Sequence, residues 1–177
     1  MGLSYPNLDD RTRQFMIQEL ERDIANGTVY LSDRLNDAGT GGWVTVLREA
    51  IERYDDDWLA VELHRRRHIK THEQRRKRKG GVTVAKVPIT ASETLAEGEF
   101  NRFYARGLCA RALADGIAEV EVYRRRAVAQ PRPESQAKIG SRVPVEALLD
   151  DLRRSQGVEP ALGIPPGPNS GLTVRLP

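Results

Sequence analysis

Apolar residues recur along this chain at spacings that change from element to element. Phe15, Met16, Leu20 and Ile24 fall on one helical face behind Asp9 and Asp10, either of which can cap a helix, and Asn26-Gly27 supplies a left-handed stop. A first helix over about residues 10–25 is predicted. Residues 28–31 read as a short extended piece, and Gly39, Gly41 and Gly42 as a loop. Trp43, Val46, Leu47, Ala50, Ile51 and Tyr54 define a second amphipathic helix, interrupted by Asp55-Asp56-Asp57. Those three acids suit the positive end of a third helix carrying Trp58, Leu59 and Leu63. The pattern runs that helix on through the following polar stretch as far as Gly80-Gly81.

Val82 to Val87 then alternates like a strand, closed by Pro88. Thr90-Ala-Ser-Glu93 has the form of a capping box before the longest helix, about residues 92–115. Its stripe is Ala96, Phe100, Phe103, Tyr104, Gly107, Leu108 and Ala114, with Glu97, Glu99, Arg102, Arg106 and Arg111 largely off it. Gly116 ends that helix, and Val120 and Val122 alternate with Glu119, Glu121 and Tyr123 as in a half-buried strand. Residues 127–143, with Pro131 and Pro133, read as loop; Pro144 opens a helix burying Val145, Leu148, Leu149 and Leu152. From Gly157 onward five prolines and four glycines replace helical periodicity, which reads as an extended arm. The fold expected is α+β: a mainly helical core, a few short strands and that arm. The segments are 1–63 helical, 64–81 a basic helix or linker, 82–156 an α+β core and 157–177 the arm.

Charge sharpens the picture. The chain holds 28 Lys or Arg against 25 Asp or Glu, net +3, yet residues 64–79 alone hold nine Lys or Arg, the single acid Glu73 and all three histidines. That run carries +8 and everything else −5, so an anionic partner or a second protein is expected to meet one surface. Candidate contacts are Arg65, Arg66, Arg67, Lys70, Arg75, Arg76, Lys77, Arg78 and Lys79. Two readings stand side by side: phosphate contact, or pairing with an acidic patch on another subunit. No zinc finger, ribonucleoprotein aromatic motif or helix-turn-helix accompanies the run, so sequence-specific reading is not expected. Apolar stretches fall far short of the roughly 20 residues that cross a bilayer, and Met1-Gly-Leu-Ser-Tyr-Pro lacks the regions of a signal peptide, so neither membrane nor export is expected.

Catalytic chemistry finds little support. His64, His68 and His72 would line one side of a helix, but nine cations around them oppose a divalent metal, and solvated histidines are the expectation. Asp55, Asp56 and Asp57, or Glu119 with Glu121, are the acids a metal-dependent nuclease would use, although no Lys follows at the spacing such enzymes want. Helix capping and a solvated strand edge account for them. Cys109 reads as a buried structural thiol, and its being alone excludes an internal disulfide. Ser135 lacks the glycine-flanked elbow of hydrolases, and Gly39-Thr-Gly-Gly42 lacks the Lys of a phosphate loop. No metal or other cofactor is implied.

Three phrases together carry a resemblance: Leu95-Ala-Glu-Gly-Glu-Phe-Asn-Arg-Phe-Tyr-Ala-Arg-Gly-Leu-Cys109, Pro131-Arg-Pro-Glu-Ser135, and Leu162-Gly-Ile-Pro-Pro-Gly-Pro-Asn-Ser-Gly-Leu-Thr-Val-Arg-Leu176. Over roughly residues 90–177 the chain resembles small proteins of tailed phages and prophages encoded near head genes. That resemblance implies a non-enzymatic virion protein, assembled in the bacterial cytoplasm, and an accessory or cement role on the head. Its partners would be the major capsid protein or other virion subunits, further copies of itself, and packaged DNA. On this reading the arm makes the intersubunit contact through Leu162, Ile164, Pro165, Pro166, Pro168, Leu172, Val174 and Leu176. The alternatives are a sequence-nonspecific nucleic-acid-binding protein and a metal-dependent nuclease.

Overall fold

A computed structural model describes residues 5–126, 130, 132–158, 160–165 and 170–177. The elements in order are α1 (Asp10–Asn26), α2 (Asp37–Arg53), α3 (Asp56–Arg65), β1 (His72–Arg76), β2 (Val82–Lys86), α4 (Ala91–Ala114), β3 (Glu119–Arg124), α5 (Pro133–Lys138), β4 (Arg142–Pro144), α6 (Val145–Arg154) and β5 (Leu172–Arg175). The class is α+β, as expected. Local chemistry starts the first three helices: Asp9, Asn36 and Asp55 accept from the backbone N–H of Thr12, Gly39 and Trp58 at 2.8–2.9 Å. Gly27, at φ 64°, ends α1 in the left-handed conformation. Residues 28–31 join no ladder, and Thr90 makes no side-chain cap on α4, so the capping box is not formed.

Helix α4 is the axis of the molecule. α1, α3 and α6 pack round it with the three-stranded sheet β4-β3-β5, and one hydrophobic cluster runs from Tyr5 to Val174. The α1 backbone comes close because residue 107 is glycine: a Cβ there would lie 2.5 Å from Met16 Cγ and 2.8 Å from Met16 N. Because α4 is covered on nearly every side, the charges expected on an outer face are inside. Glu97, Glu99, Arg102 and Arg106 are all buried. Arg106 is paired with Glu19 and Asp23, and Arg125 with Glu97 and Asp56, as charges removed from water require.

Two further expectations are corrected. The third helix does not continue to Gly80; it ends at Arg65. Just beyond, Arg67 turns to φ 54°, its carbonyl accepts from Asn36 Nδ2, and residues 34–36 pair with 68–70 through Asn36 N to His68 O (3.0 Å) and Lys70 N to Arg34 O (2.8 Å). Between Leu63 and Val82 only Ile69 could have served a helical core stripe, and like charges at helical spacing repel.

The terminal segment, expected to lie along a neighbour, closes this chain's own sheet. β5 pairs antiparallel with β3, and Leu172, Thr173 and Val174 are fully buried. Asn101 Nδ2 donates to Leu172 O at 2.9 Å, Arg125 N to Gly171 O at 2.8 Å, and Leu176 N to Asn7 Oδ1 at 3.0 Å. Upstream, Asp151 accepts from the N–H of Ala161 and Leu162, and Lys138 Nζ donates to the carbonyls of Leu162 and Gly163. Of the expected intersubunit set, Leu172, Val174 and Ile164 are therefore interior, Pro165 and Leu176 half-buried and Leu162 exposed; Pro166 and Pro168 lie outside the described residues. The alternation was that of a strand, and the vacant edge it fills belongs to β3. Among the described residues no helix is long and apolar enough to cross a membrane.

Candidate nucleic-acid interface

The basic run folds mainly as an antiparallel two-stranded ribbon, β1 with β2, separate from the other sheet. Val, Thr and Val in β2 favour extended backbone, and Gly80 and Gly81, at φ 89° and 85°, permit the reversal. Lys77 N donates to Gly81 O at 2.9 Å and Gly80 N to Lys77 O at 3.1 Å, closing the turn. The register pairs His72 with Lys86, Gln74 with Val84 and Arg76 with Val82 on one face, Glu73 with Ala85 and Arg75 with Thr83 on the other. At the base, Glu73 accepts from Arg34 Nε and Arg75 Nε, both at 2.7 Å. Those two hydrogen bonds hold its carboxyl below the ordinary range and tie the ribbon to the body.

The nine sequence candidates separate. Arg65 and Arg66 both donate to Glu62, whose carboxyl those bonds bring down to about 2. Arg75 is tied to Glu73, and Lys70 Nζ donates to Asp33 O. Arg67 is exposed beside the turn after α3. Among the described residues, Arg76, Lys77, Arg78 and Lys79 have no ion-pair partner and are exposed, and Lys86 joins them from β2. Lys86 was missed because it stands beyond the glycine turn. Its signal was the strand pattern itself, which folds it back opposite His72.

The histidine row does not form. His64 is in the last turn of α3, His72 begins β1, and His68 is buried against Gly39 and Gly42 of α2, where a Cβ at 39 would meet His68 O at 2.3 Å. Burial first, then Arg66, lowers the His68 pKa, contrary to the solvated role expected of it. Gly39 and Gly42 are thus a seat for His68.

The candidate catalytic acids are also dispersed. Asp55 caps α3, Asp57 is exposed, and Asp56 is buried 3.4 Å from Arg125 Nη1, its pKa raised to about 7 by burial against the opposing pull of that guanidinium. Glu121 accepts from Arg175 at 2.8 Å, and Glu119 sits two residues away on β3. Among the described residues no three His, Cys, Asp or Glu side chains are placed to hold a metal. Burial pushes the Cys109 thiol up to about 12, and Ser135 is buried in α5.

A cleft of about 850 Å³ separates the ribbon base from α4, with Arg34, Gln74, Glu97, Glu99 and Arg102 on its walls. Glu99 is the group sequence reasoning placed at the surface; burial raises its pKa to about 7 although Arg102 Nε lies 3.9 Å away. The guanidinium of Arg102 is instead bound to the carbonyls of Ser155 and Val158, a strap across the cleft wall. No protein-family model, curated protein or solved structure matches this chain.

Proposed function

We propose that this protein binds nucleic acid without requiring a sequence, through the β1–β2 ribbon. One observation carries the reading: residues 72–86 bear six Lys or Arg against one acid, +5, and most of those cations are unpaired, while the rest of the chain sums to −2. Arg106 and Arg125 are matched to carboxylates inside the fold, whereas the cations at the ribbon tip are left to water. Such a surface gains by releasing counterions from a phosphate backbone. Five engaged phosphates give a slope of log K against log salt of about −4 to −5. Fluorescence anisotropy with a labelled duplex at several salt concentrations measures that slope, and Lys77→Gln/Arg78→Gln/Lys79→Gln should lower its magnitude by about 3. Absence of binding at low salt, or an unchanged slope in the triple variant, rejects the proposal.

A second reading, an accessory head protein of a tailed phage bound to the major capsid protein, rests on the resemblance over residues 90–177. It is favoured by the contact between the first and third resembling phrases, Asn101 Nδ2 donating to Leu172 O. Contact with a capsid would then use the exposed body, and the ribbon would meet packaged DNA. Mass spectrometry of purified particles tests it; a protein absent from them is not a virion component.

A further inference from the structure

We infer that the ribbon enters the major groove of B-form duplex DNA, laying the face of Arg76, Val82 and Val84 against base edges. This rests on the nucleic-acid reading above and goes beyond it in naming the form of nucleic acid and the atoms met.

The register decides which side chains act together. His72, Gln74, Arg76, Val82, Val84 and Lys86 share one face and every one is exposed, whereas the opposite face is fastened at its base by Glu73 to Arg34. Val82 is 57 % and Val84 67 % exposed, neighbours on one strand face with Arg76 and Gln74 directly across from them. Single exposed valines are ordinary. Two adjacent ones at the centre of a cationic ribbon make a surface that phosphate contact alone does not use.

The major groove, about 12 Å wide, admits a two-stranded ribbon, and it displays the thymine methyl for apolar contact and the guanine edge that an Arg side chain can bond. Duplex RNA offers a deep, narrow major groove that side chains cannot read. Single strands are held chiefly by stacking on aromatic rings, and residues 72–86 contain no Phe, Tyr or Trp. A second copy of the ribbon is disfavoured because +5 would meet +5. Charge and shape together therefore select duplex DNA as the occupant of this face.

The test uses the full chain and 20-base-pair probes in anisotropy competition. Duplex DNA should compete about tenfold better than duplex RNA or single-stranded DNA of the same sequence. Val82→Ser/Val84→Ser should weaken duplex binding by about tenfold with the salt slope unchanged, because no phosphate contact is lost. Replacing thymine by uracil, which deletes only a major-groove methyl, should weaken the parent protein and leave the valine variant unaffected. Saturation with a minor-groove ligand such as netropsin should leave binding in place. Both valines are exposed, so circular dichroism of the variant should match the parent. Equal competition by single strands or duplex RNA, indifference to the valine change or to uracil, or displacement by netropsin each overturns groove entry while the salt-dependent phosphate reading stands. Failure of all nucleic acids to bind overturns both, and the Lys77/Arg78/Lys79 variant distinguishes that case by having no binding left to lose.

Discussion

Arg106 on α4 and Asp23 on α1 form an ion pair 2.6 Å long in a place water does not reach, with Arg106 fully buried. The same guanidinium holds Glu19 through Nε at 2.9 Å and Nη2 at 2.8 Å, and Arg153 of α6 reaches Glu19 from the other side. One arginine therefore joins α1 to α4, and one glutamate joins both to α6. Arg106→Met leaves two carboxylates buried with too few partners and should cost about 3–5 kcal/mol in urea unfolding. Arg106→Lys keeps the charge but not the planar fork that bonds both acids, and should recover only part of the loss. A cost below about 1 kcal/mol for Arg106→Met would show that the network does not hold the helices together.

The same network sets an acid limit. Burial opposes ionisation of Glu19, but the bonds from Arg153 and Arg106 outweigh it and leave its pKa below the ordinary 4.5. A carboxyl whose folded pKa is depressed stabilises the fold above its unfolded pKa, and that contribution disappears as pH falls through the folded value. Wild-type stability should therefore fall below about pH 4.5. Glu19→Gln should be less stable at neutral pH and lose less than the parent on acidification, as read by thermal melts from pH 7 to pH 3.

Two helical glycines make opposite predictions. At Gly107 a methyl group would strike the Met16 backbone, which can yield only if α1 moves off α4, so Gly107→Ala should destabilise by about 1–3 kcal/mol. At Gly41, inside α2, nothing lies within 4 Å of the added carbon. Gly41→Ala should stabilise by about 0.5–1 kcal/mol, the helix-propensity gain alone. Equal effects at the two sites in denaturant titrations would remove the close α1–α4 approach as the reason for residue 107.

What was legible in the sequence was what is decided within one turn or one strand. Asp9 and Asp55 announce their helices by bonding three residues ahead, and Val120 and Val122 show a strand by alternation alone. What was not legible depends on residues far apart. The end of α3 is set by the pairing of 34–36 with 68–70, and the burial of Arg106 by an α1 that lies more than 80 residues away. Of the candidate interface, the tip cations from Arg76 to Lys79 are exposed, while the ribbon that presents them was not foreseen. Arg65 and Arg66 were counted with them although Glu62 stands three and four residues before them, a helical pairing that the sequence already displays. The terminal alternation of Leu172 and Val174 was read as an arm lying along a neighbour; that it is a strand of this chain's own sheet could not be known before β3 was seen to have a free edge.

Glu99 should make the protein less stable as pH rises toward neutrality. Burial lifts its pKa from 4.5 to about 7, with Arg102 and Arg106 only partly offsetting that. Between those two values the unfolded chain releases a proton that the folded chain retains, so stability falls across that interval and levels above about pH 7. Glu99→Gln removes this group from the balance while the Arg102 bonds to Ser155 O and Val158 O can persist. The variant should gain on the order of 1–3 kcal/mol over the parent at pH 8 and nothing at pH 4. Unfolding curves at the two pH values check this, and a gain of the same size at both would assign the effect to packing.

Removal of residues 171–177 separates a strand that belongs to this chain from an arm meant for another. If β5 is interior, its loss uncovers one edge of β3, leaves Asn101 Nδ2 and Arg125 N without acceptors, and deletes the buried Leu172 and Val174 from the core. Each of those side chains is worth about 1.5–3 kcal/mol on burial, which together approaches the whole stability of an ordinary domain. The truncated protein should therefore be insoluble or unfolded by circular dichroism, and Leu172→Ala alone should cost about 2–5 kcal/mol. An arm that docks elsewhere predicts the reverse, an intact truncated protein that has lost only a partner. Limited proteolysis distinguishes them in the native chain as well, since a strand bonded on β3 resists cleavage at Arg175 for as long as the core stays folded.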